Sequence, residues 1–359
     1  MKKVNQEPER QQRQSGISFL NCEEWSEFLS SDMVAACGED LKRIVSTPLI
    51  GFANKESNLF RARLVALSLS LCSDKTLVFT KQYQRELSQK LSQLLEALHA
   101  GSLIIDDIQD AANFRRRGPA LHTEIGVPLA INSGGLLYFL ALSLIEKMAF
   151  EPRIEIAVSR LCHRAMVKGH LGQALDLGVR IDEVSQVQAR ELSIAALKLK
   201  TGALMSLATE LCAVACGVHP EVRNALKNFG LNFGFALQSF NDLGEYSFNN
   251  QNLSQDLILG KPTWIWVCAS ESLSAHDYRE FQNQASRLRS ADLKSQRKIM
   301  LELKNHALIK FAADEARRRM SETFHDLSRS LQKFDYELNQ RPDWKDLQSL
   351  AQKVMVAYD

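Results

Sequence analysis

The chain has 359 residues, 45% hydrophobic and 24% charged, which is enough to bury a large core in one or two domains. Its 44 basic and 42 acidic residues leave a net charge of +2, which argues against binding to nucleic acid through a basic surface. The seven cysteines include no Cys-x-x-Cys pair, so the sequence supports neither a zinc site nor a disulfide framework. A reducing, cytoplasmic location fits this composition.

The polar residues 1–16 lack the apolar segment of a signal peptide, and we expect them to form a disordered lead. No run approaches ~18 consecutive apolar residues, so no membrane span is predicted. The rest of the chain shows neither an internal repeat nor a low-complexity linker. We therefore expect a single domain over residues 17–359.

Apolar residues recur at intervals of three and four through most of that domain, which is the period of an α-helix. The clearest example is 88–105, where four leucines, a serine and an isoleucine share one face. Most prolines fall between the periodic segments, where they can begin or end a helix. The predicted fold class is all-α. Further helices are predicted at about 134–148, 154–179, 186–217, 221–248 and, with a weaker pattern, 270–359.

Three aspartates follow the apolar run Leu103–Ile105 at the end of the first clear helix. Asp106 and Asp110 are four residues apart and share a helix face, whereas Asp107 is turned by about 100°. Like charges this close are usually held by a base or a hard cation, and ligands that are all oxygen favour magnesium. A solvated acidic helix end is the alternative, but the apolar residues before the acids favour a site.

A second group of oxygen ligands lies in LQSFNDLGEYSFNN, with Asn241, Asp242 and Glu245 at helical spacing. Two such helices facing each other could hold magnesium ions and a diphosphate between them. Arginines fork onto phosphate oxygens, and lysines bind them as point charges, although a single lysine is more often a surface charge. The candidate bases are Arg115, Arg116, Lys200 (followed by Thr201) and Lys261.

Six segments of the chain, in this order, are similar to the motifs of one family: HAGSLIIDDIQD, RRRGPALHTEIGVPLAINS, GHLGQALDL, KTG, LQSFNDLGE and QDLILGKPT. The family is the trans-prenyl diphosphate synthases, and the chain most resembles its geranylgeranyl diphosphate synthase branch. The resemblance covers about residues 55–270. Each segment alone is a weak signal, but six in register are specific.

The resemblance implies an isoprenoid synthase-type helical bundle around a central cavity, usually a homodimer, with the two acidic helices facing each other. It implies a prenyltransferase that condenses an allylic prenyl diphosphate with isopentenyl diphosphate. Up to three Mg²⁺ ions would assist departure of the allylic diphosphate, which leaves a carbocation in a dry cavity. The double bond of isopentenyl diphosphate would attack that cation, and loss of a proton would give a longer prenyl diphosphate.

The same resemblance implies roles for individual residues. Arg115 would bind the allylic diphosphate, whereas Arg116, Arg63 and His99 would bind isopentenyl diphosphate. Gln173 and Asp176 would support the network of metal ions and lysines. The implied magnesium ligands are Asp106, Asp110, Asn241, Asp242 and Glu245. The residues implied around the allylic diphosphate and the nascent cation are Lys200, Thr201, Gln238 and Lys261.

The sequence departs from the family pattern at four positions, all in the diphosphate sites. The lost lysine at position 60 removes one contact to isopentenyl diphosphate unless Arg61 or Lys55 replaces it. An asparagine is a neutral, weaker ligand for a hard cation than an aspartate. The four positions are Phe60 and Asn252 in place of lysines, Asn241 in place of an aspartate, and Arg117 in place of a glycine.

These departures leave two other functions open. A class I terpene synthase also ionises an allylic diphosphate with magnesium but needs no isopentenyl diphosphate, and the spacing of Asn241, Glu245 and Asn249 loosely resembles its second metal motif. A non-catalytic partner subunit of an active synthase is the third possibility. The retained residues of the isopentenyl diphosphate pocket argue against the first, and the intact first acidic motif argues against the second.

The length of the product depends in this family on the residues just before the first acidic motif, where a bulky aromatic side chain stops chain growth. Here Gly101 and Ser102, five and four residues before Asp106, are both small. They predict a product longer than farnesyl, with geranylgeranyl as the central expectation. The alternative is that the small residues only allow close helix packing.

Overall fold

A computed structural model describes residues 27–54, 60–73, 80–115, 118–246, 254–304, 307–334 and 338–357. Nearly all of these residues are helical, which confirms the predicted all-α class. In this described part, one two-residue ladder pairs Phe114 with Pro119 and Arg115 with Gly118. The predicted disordered lead, 1–16, lies outside the described residues.

The chain divides into two compact units, and each is described by itself. The first unit comprises Met1–Leu69 and Ser73–Ser159, and the second comprises Ser70–Cys72 and Arg160–Asp359. The single domain expected over 17–359 stays a prediction.

The first unit is built from helices that run in chain order up to the middle of α7, since the boundary falls inside that helix. The last helix that lies wholly within this unit is α6. It is preceded by Gly126, which has a positive φ, and it has a proline in its first turn, where proline is well tolerated. The elements are α1 (Ser31–Leu41), a π-helical turn (Lys42–Ser46), α2 (Thr47–Asn54), α3 (Phe60–Cys72), α4 (Lys81–Gln109), β1 (Phe114–Arg115), β2 (Gly118–Pro119), α5 (Leu121–Ile125), α6 (Val127–Glu146) and α7 (Pro152–Gly178).

Helix α4 is the longest element of the first unit, and it carries the first acidic motif at its end. The Thr80 side chain caps its first turn by accepting a hydrogen bond from the Tyr83 N–H at 3.1 Å. The four leucines of the predicted face are buried, whereas Ser102 of that face is exposed and Ile105 is half-buried. At Gly101, α4 approaches α6 so closely that a Cβ would lie 2.8 Å from the Gly134 carbonyl oxygen. Glycine at both positions therefore sets the distance between the two helices.

Helix α6 is long and apolar enough to cross a membrane, because its 20 residues reach a mean hydropathy of 1.6 over the most apolar window. Part of that window, 39%, is buried inside the protein. A buried core helix meets the same length and composition test, so a single helix of this kind is weak support for a membrane span.

The second unit contains the remaining helices and an aromatic core. Phe229 and Phe233 of one helix each contact Phe324 edge to face, and Phe235 of the same helix contacts Trp264 in the same way. The elements are α8 (Gln186–Leu197), a π-helical turn (Lys198–Gly202), α9 (Ala203–Ala215), α10 (Pro220–Gly244), α11 (Gln255–Leu259), α12 (Trp264–Ser272), α13 (Ala275–Ser290), α14 (Leu293–Lys304), α15 (Ala307–Gln332) and α16 (Pro342–Ala357), with 3₁₀ turns at Ile181–Glu183 and Leu338–Gln340.

The π-helical turn between α8 and α9 interrupts a stretch predicted as one helix, 186–217. Its local widening coincides with a close approach of α7, where a Cβ on Gly172 would lie 2.7 Å from the Leu199 carbonyl carbon. Such turns are frequent at functional sites because they redirect side chains without ending the helix. This one carries Lys200 and Thr201.

Candidate active site

The first acidic motif forms a compact group at the end of α4. Asp106 and Asp110 are both half-buried, and each offers a carboxylate oxygen within 4.8 Å of the other. Asp107 is turned into the protein and its side chain is only 1% exposed. The predicted division of the three aspartates, two on one face and one turned away, is what the helix produces.

Arg115, on β1, is bound to the acids that precede it. Its Nε donates to Asp107 Oδ1 at 2.6 Å, its Nη2 meets the same oxygen, and Nη2 also lies 3.5 Å from Asp106 Oδ2. Because two guanidinium nitrogens meet one carboxylate, the pair is ionic and its orientation is fixed. Asp107, which received no role from the sequence, is therefore the residue that anchors this arginine.

Burial raises the pKa of Asp107, and the hydrogen bond from Arg115 offsets part of that rise. Burial also opposes the charge of Arg115, but the neighbouring carboxylates of Asp107 and Asp106 raise its pKa above the ordinary value. The arginine therefore stays charged, and it brings a fixed positive charge to the edge of the acidic group.

The residues implied for isopentenyl diphosphate are spread over α3 and α4 of the same unit. His99 is half-buried on α4, Arg63 is exposed on α3, and Arg116 lies outside the described residues. Arg61 makes a bidentate ion pair with Glu96, with Nε–Oε1 and Nη2–Oε2 distances of 3.0 and 3.1 Å. Because both partners are nearly buried, Arg61 is held by Glu96 and does not replace the lysine missing at position 60.

In the second unit, two lysines share one carboxylate. Asp176 Oδ2 lies 2.9 Å from Lys200 Nζ and 3.5 Å from Lys261 Nζ. Lys261 also lies 3.7 Å from Asp256 Oδ1, and its side chain is only 8% exposed. Gln173 is half-buried one turn before Asp176 on α7. Half-buried Asp176 therefore holds two ammonium groups beside each other, where both could donate to one phosphate group.

A second chain of hydrogen bonds connects the π-helical turn to α10. Thr201 Oγ1 donates to Gln238 Oε1 at 2.8 Å, and Gln238 Nε2 donates to Asp242 Oδ1 at 2.8 Å. The other oxygen of Asp242 accepts the Trp264 backbone N–H at 2.7 Å. Asp242 is buried, and its burial raises its pKa well above the ordinary value, although these donors lower it. Thr201 and Gln238, predicted for the allylic site, and Asp242, a predicted metal ligand, therefore lie in one network.

The second acidic motif divides between an exposed and a half-buried residue. Asn241 is exposed on α10, whereas Glu245 is half-buried and accepts a short hydrogen bond from Ser254 Oγ. Burial raises the pKa of Glu245 to about 7, with a further rise from Asp256 and an opposing effect of Lys261. Metal binding by Asn241, Asp242 and Glu245 stays a prediction, and Asn249 and Asn252 lie outside the described residues.

The raised pKa of Glu245 predicts a pH dependence of stability in metal-free protein. Between pH 4.5 and about 7 the folded state keeps a proton on Glu245 that the unfolded chain has lost. The free energy of unfolding should therefore fall as the pH rises through this range, by up to about 3 kcal/mol. Urea unfolding at several pH values, with a chelator present, measures the slope.

Glu245→Gln should make that slope shallower, because glutamine does not titrate, while the slope due to buried Asp242 remains. Glu280→Gln, at an exposed position on α13, is the matched control and should leave the slope unchanged. Equal slopes for the wild type and Glu245→Gln would contradict the assigned pKa.

A helical chain with a paired-carboxylate motif, an anchored arginine, two lysines on one carboxylate and a threonine–glutamine–aspartate network has the features of the isoprenoid synthase class. A model of the family described as polyprenyl synthetase matches residues 42–302, so the chain belongs to this family. The resemblance inferred from the motifs is thereby confirmed.

Individual relatives agree with this assignment. The chain is 27% identical over 270 residues to a geranylgeranyl diphosphate synthase from Sulfolobus acidocaldarius, covering 73% of this chain and 79% of that protein. It is 32% identical over 189 residues to a short chain isoprenyl diphosphate synthase from Methanothermobacter thermautotrophicus, covering 51% of this chain and 56% of that protein. It spans about half the length of several curated relatives that it matches.

The fold is also that of a solved structure. The crystal structure of a geranylgeranyl pyrophosphate synthetase from Pyrococcus horikoshii is similar with a TM-score of 0.73 at 22% identity, covering 87% of this chain and 90% of that one. This likeness confirms the isoprenoid synthase-type helical fold.

Proposed function

We propose that the protein is a prenyltransferase that condenses an allylic prenyl diphosphate with isopentenyl diphosphate to give a longer prenyl diphosphate. The observation that carries the proposal is the pair Asp106 and Asp110, with Arg115 fixed beside it by Asp107. A carboxylate pair beside a charged arginine at one helix end suits a cation-bound diphosphate.

The donor set of the first unit fits magnesium. Its two candidate ligands are carboxylates, they are half-buried, and their oxygens lie within 4.8 Å of each other, which suits a small hard cation that keeps part of its water. When bound, magnesium would neutralise charge on the departing diphosphate. Arg115 would hold that diphosphate at the end of α4, which fixes the direction in which the leaving group departs.

The second unit contributes cations and a hydrogen-bonding network. Lys200 and Lys261, which Asp176 holds beside each other, would donate to phosphate oxygens. Gln238, oriented by its bonds to Thr201 and Asp242, would place its amide beside the positive charge that develops on the allylic carbon. The departing diphosphate would take the proton at the end of the reaction.

A class I terpene synthase is the second candidate, and the observation that favours it is exposed Asn241 on α10, four residues before Glu245 at the end of that helix. The two functions separate in one assay. Purified protein receives farnesyl diphosphate and magnesium, with and without isopentenyl diphosphate, and the release of diphosphate is followed. Release that depends on isopentenyl diphosphate supports the synthase, whereas equal release of diphosphate without it, accompanied by a hydrocarbon or an alcohol, supports the terpene synthase. If no diphosphate is released in either reaction and the protein binds an active synthase, it is a non-catalytic subunit.

The missing lysine at position 60 predicts a weak isopentenyl diphosphate site. Phe60 is half-buried at the start of α3, and the neighbouring Arg61 is already engaged by Glu96. Phe60→Lys adds a charge-assisted contact, so it should lower the KM for isopentenyl diphosphate by about ten- to a hundredfold. The KM for the allylic substrate should stay nearly unchanged in the same steady-state measurements.

Phe60→Met is the matched control, because it keeps an apolar side chain of similar length and adds no charge. It should leave both KM values near those of the wild type. A change that falls on the allylic substrate instead would show that position 60 lies elsewhere in the site.

We also propose a homodimer that works in the cytoplasm. Helix α6 exposes Val127 and Ile131, which are four residues apart and share a face, and also Phe139, which is 70% exposed. Exposed apolar faces of this kind are typical of surfaces covered by another protein, and a second copy is the occupant expected from the family resemblance. Light scattering of the purified protein measures the oligomeric state.

A further inference from the structure

We propose that Asp182 is a positioning residue that holds the turn before Lys261 and thereby fixes the Lys261 ammonium beside Asp176. The proposal rests on the proposed function, because it takes Lys261 to bind the allylic diphosphate. It adds a residue, outside the six family-like segments, on which the placement of that lysine depends. All of the residues involved belong to the second unit.

The Asp182 carboxylate is clamped by two arginines. It lies in the 3₁₀ turn Ile181–Glu183, and its side chain is only 1% exposed. Arg180 Nη2 donates to Oδ1 at 3.3 Å, and Arg289 Nη2, from α13, donates to Oδ2. A carboxylate buried this deeply is stable only with such partners, so the two arginines fix its position.

The clamped carboxylate packs directly on Gly260. This glycine ends α11 in the left-handed conformation, with φ +67°, and its carbonyl oxygen accepts the Ile181 N–H at 2.9 Å. A Cβ on Gly260 would lie 3.1 Å from Asp182 Cγ and closer still to Oδ1. Only glycine fits here, and the hydrogen bond joins the 3₁₀ turn to the turn after α11.

Lys261 is the next residue after Gly260, so a shift of the glycine backbone moves the lysine backbone as well. Its backbone N–H donates to Asp256 O at 2.8 Å, and its side chain is buried. Nζ lies 3.5 Å from Asp176 Oδ2, the oxygen that Lys200 also binds. A buried lysine has little freedom to correct a shift of its own backbone, so the place of Nζ depends on the turn that Asp182 holds.

The arginine clamp itself is not the anion site. Arg180 Nε lies 2.8 Å from Glu183 Oε1, and Arg289 Nη1 lies 3.6 Å from the same oxygen. Arg180 and Arg289 therefore pair with two acids, Asp182 and Glu183, and the net charge of the four side chains is zero. Their effect on an anion would act through the position of Lys261.

The test compares Asp182→Asn with the wild type in the full-length protein. Asparagine keeps the shape of the side chain but loses the charge that both arginines bind. Without substrate, hydrogen exchange of the peptides covering 179–184 and 256–263 should become faster. With substrates, the KM for the allylic diphosphate should rise about tenfold, as expected for a displaced charged contact, and the KM for isopentenyl diphosphate should not change.

Three further variants separate positioning from general destabilisation. Glu210→Gln breaks another ion pair of a nearly buried acid in the same unit, with Arg223 Nη2 at 2.8 Å, and should leave both peptides and both KM values unchanged. Arg289→Gln removes one half of the clamp at a residue that is 36% exposed, so it should fold even if Asp182→Asn does not. Arg289→Lys keeps the charge and should restore most of the lost affinity.

The outcomes are distinct. Unchanged exchange and unchanged KM in folded Asp182→Asn or Arg289→Gln would overturn the proposal. Faster exchange spread evenly over the unit would also overturn it, because the pair would then be only structural. Faster exchange confined to 179–184 and 256–263 supports the positioning role, even if the wild type turns over no allylic diphosphate, in which case the proposed function alone fails.

Discussion

Asp106→Ala and Asp110→Ala are each expected to lower kcat/KM at least about a thousandfold while the protein stays folded. Each variant removes one of two carboxylates that would hold a magnesium ion, and with it the charge that stabilises the departing diphosphate. The fold should survive because both residues are half-buried at the end of α4 and contribute no core packing. Steady-state kinetics and calorimetric titration with magnesium measure the two effects.

Glu86→Ala is the matched control, because Glu86 is an exposed acid on the same helix and bonds only to a neighbouring glutamine in the described contacts. It should retain wild-type turnover and magnesium binding. Near-wild-type turnover in folded Asp106→Ala or Asp110→Ala would show that these aspartates only end the helix.

Gly101→Phe is expected to destabilise the fold by about 3 kcal/mol or more. A Cβ at Gly101 would already lie 2.8 Å from the Gly134 carbonyl oxygen and 3.1–3.2 Å from the Tyr138 ring, so a phenyl group has no space between α4 and α6. The small residue at this position is therefore explained by helix packing. Urea unfolding at one pH measures the loss.

Ser102→Phe is the matched comparison, since Ser102 is the exposed neighbour of Gly101 on the same helix. It should fold normally. If the prenyl chain extends along α4, the new ring at Ser102 shortens the product relative to the wild type. A stable Gly101→Phe protein that makes a shorter product would contradict the packing account and support position 101 as one where a bulky side chain stops chain growth.

The helical fold was predictable because the helical spacing of apolar residues agrees with the positions of the prolines and glycines that begin or end helices. The leucine face of 88–105 became the buried face of α4, and the segment 221–248 became α10, which ends at Gly244. The predicted helix at 134–148 begins earlier, at Val127, because a proline in the first helical turn is compatible with a helix start. The π-helical turn at Lys198–Gly202 was not predictable, since it depends on how closely α7 approaches.

The residues of the candidate site were predictable where they lie in segments that resemble the motifs of the family. Lys200 and Asp176, 24 residues apart in sequence, meet at 2.9 Å, and Thr201 meets Gln238. The partners that orient these residues were missed. The backbone N–H of Trp264 has no sequence signature, and Asp107 gave no sign that it would turn inward to bind Arg115. Such contacts depend on burial, which a single sequence does not specify.

The most direct test of the prenyltransferase assignment is the mass of the product made from labelled isopentenyl diphosphate. Purified protein would receive farnesyl diphosphate, magnesium and isopentenyl diphosphate labelled with carbon-13 in all five carbons. The products would be dephosphorylated and their masses measured by mass spectrometry. We predict a geranylgeranyl product that carries one labelled five-carbon unit for each diphosphate released, and no such product without magnesium. Unlabelled hydrocarbon or alcohol formed at the same rate without isopentenyl diphosphate would contradict the assignment.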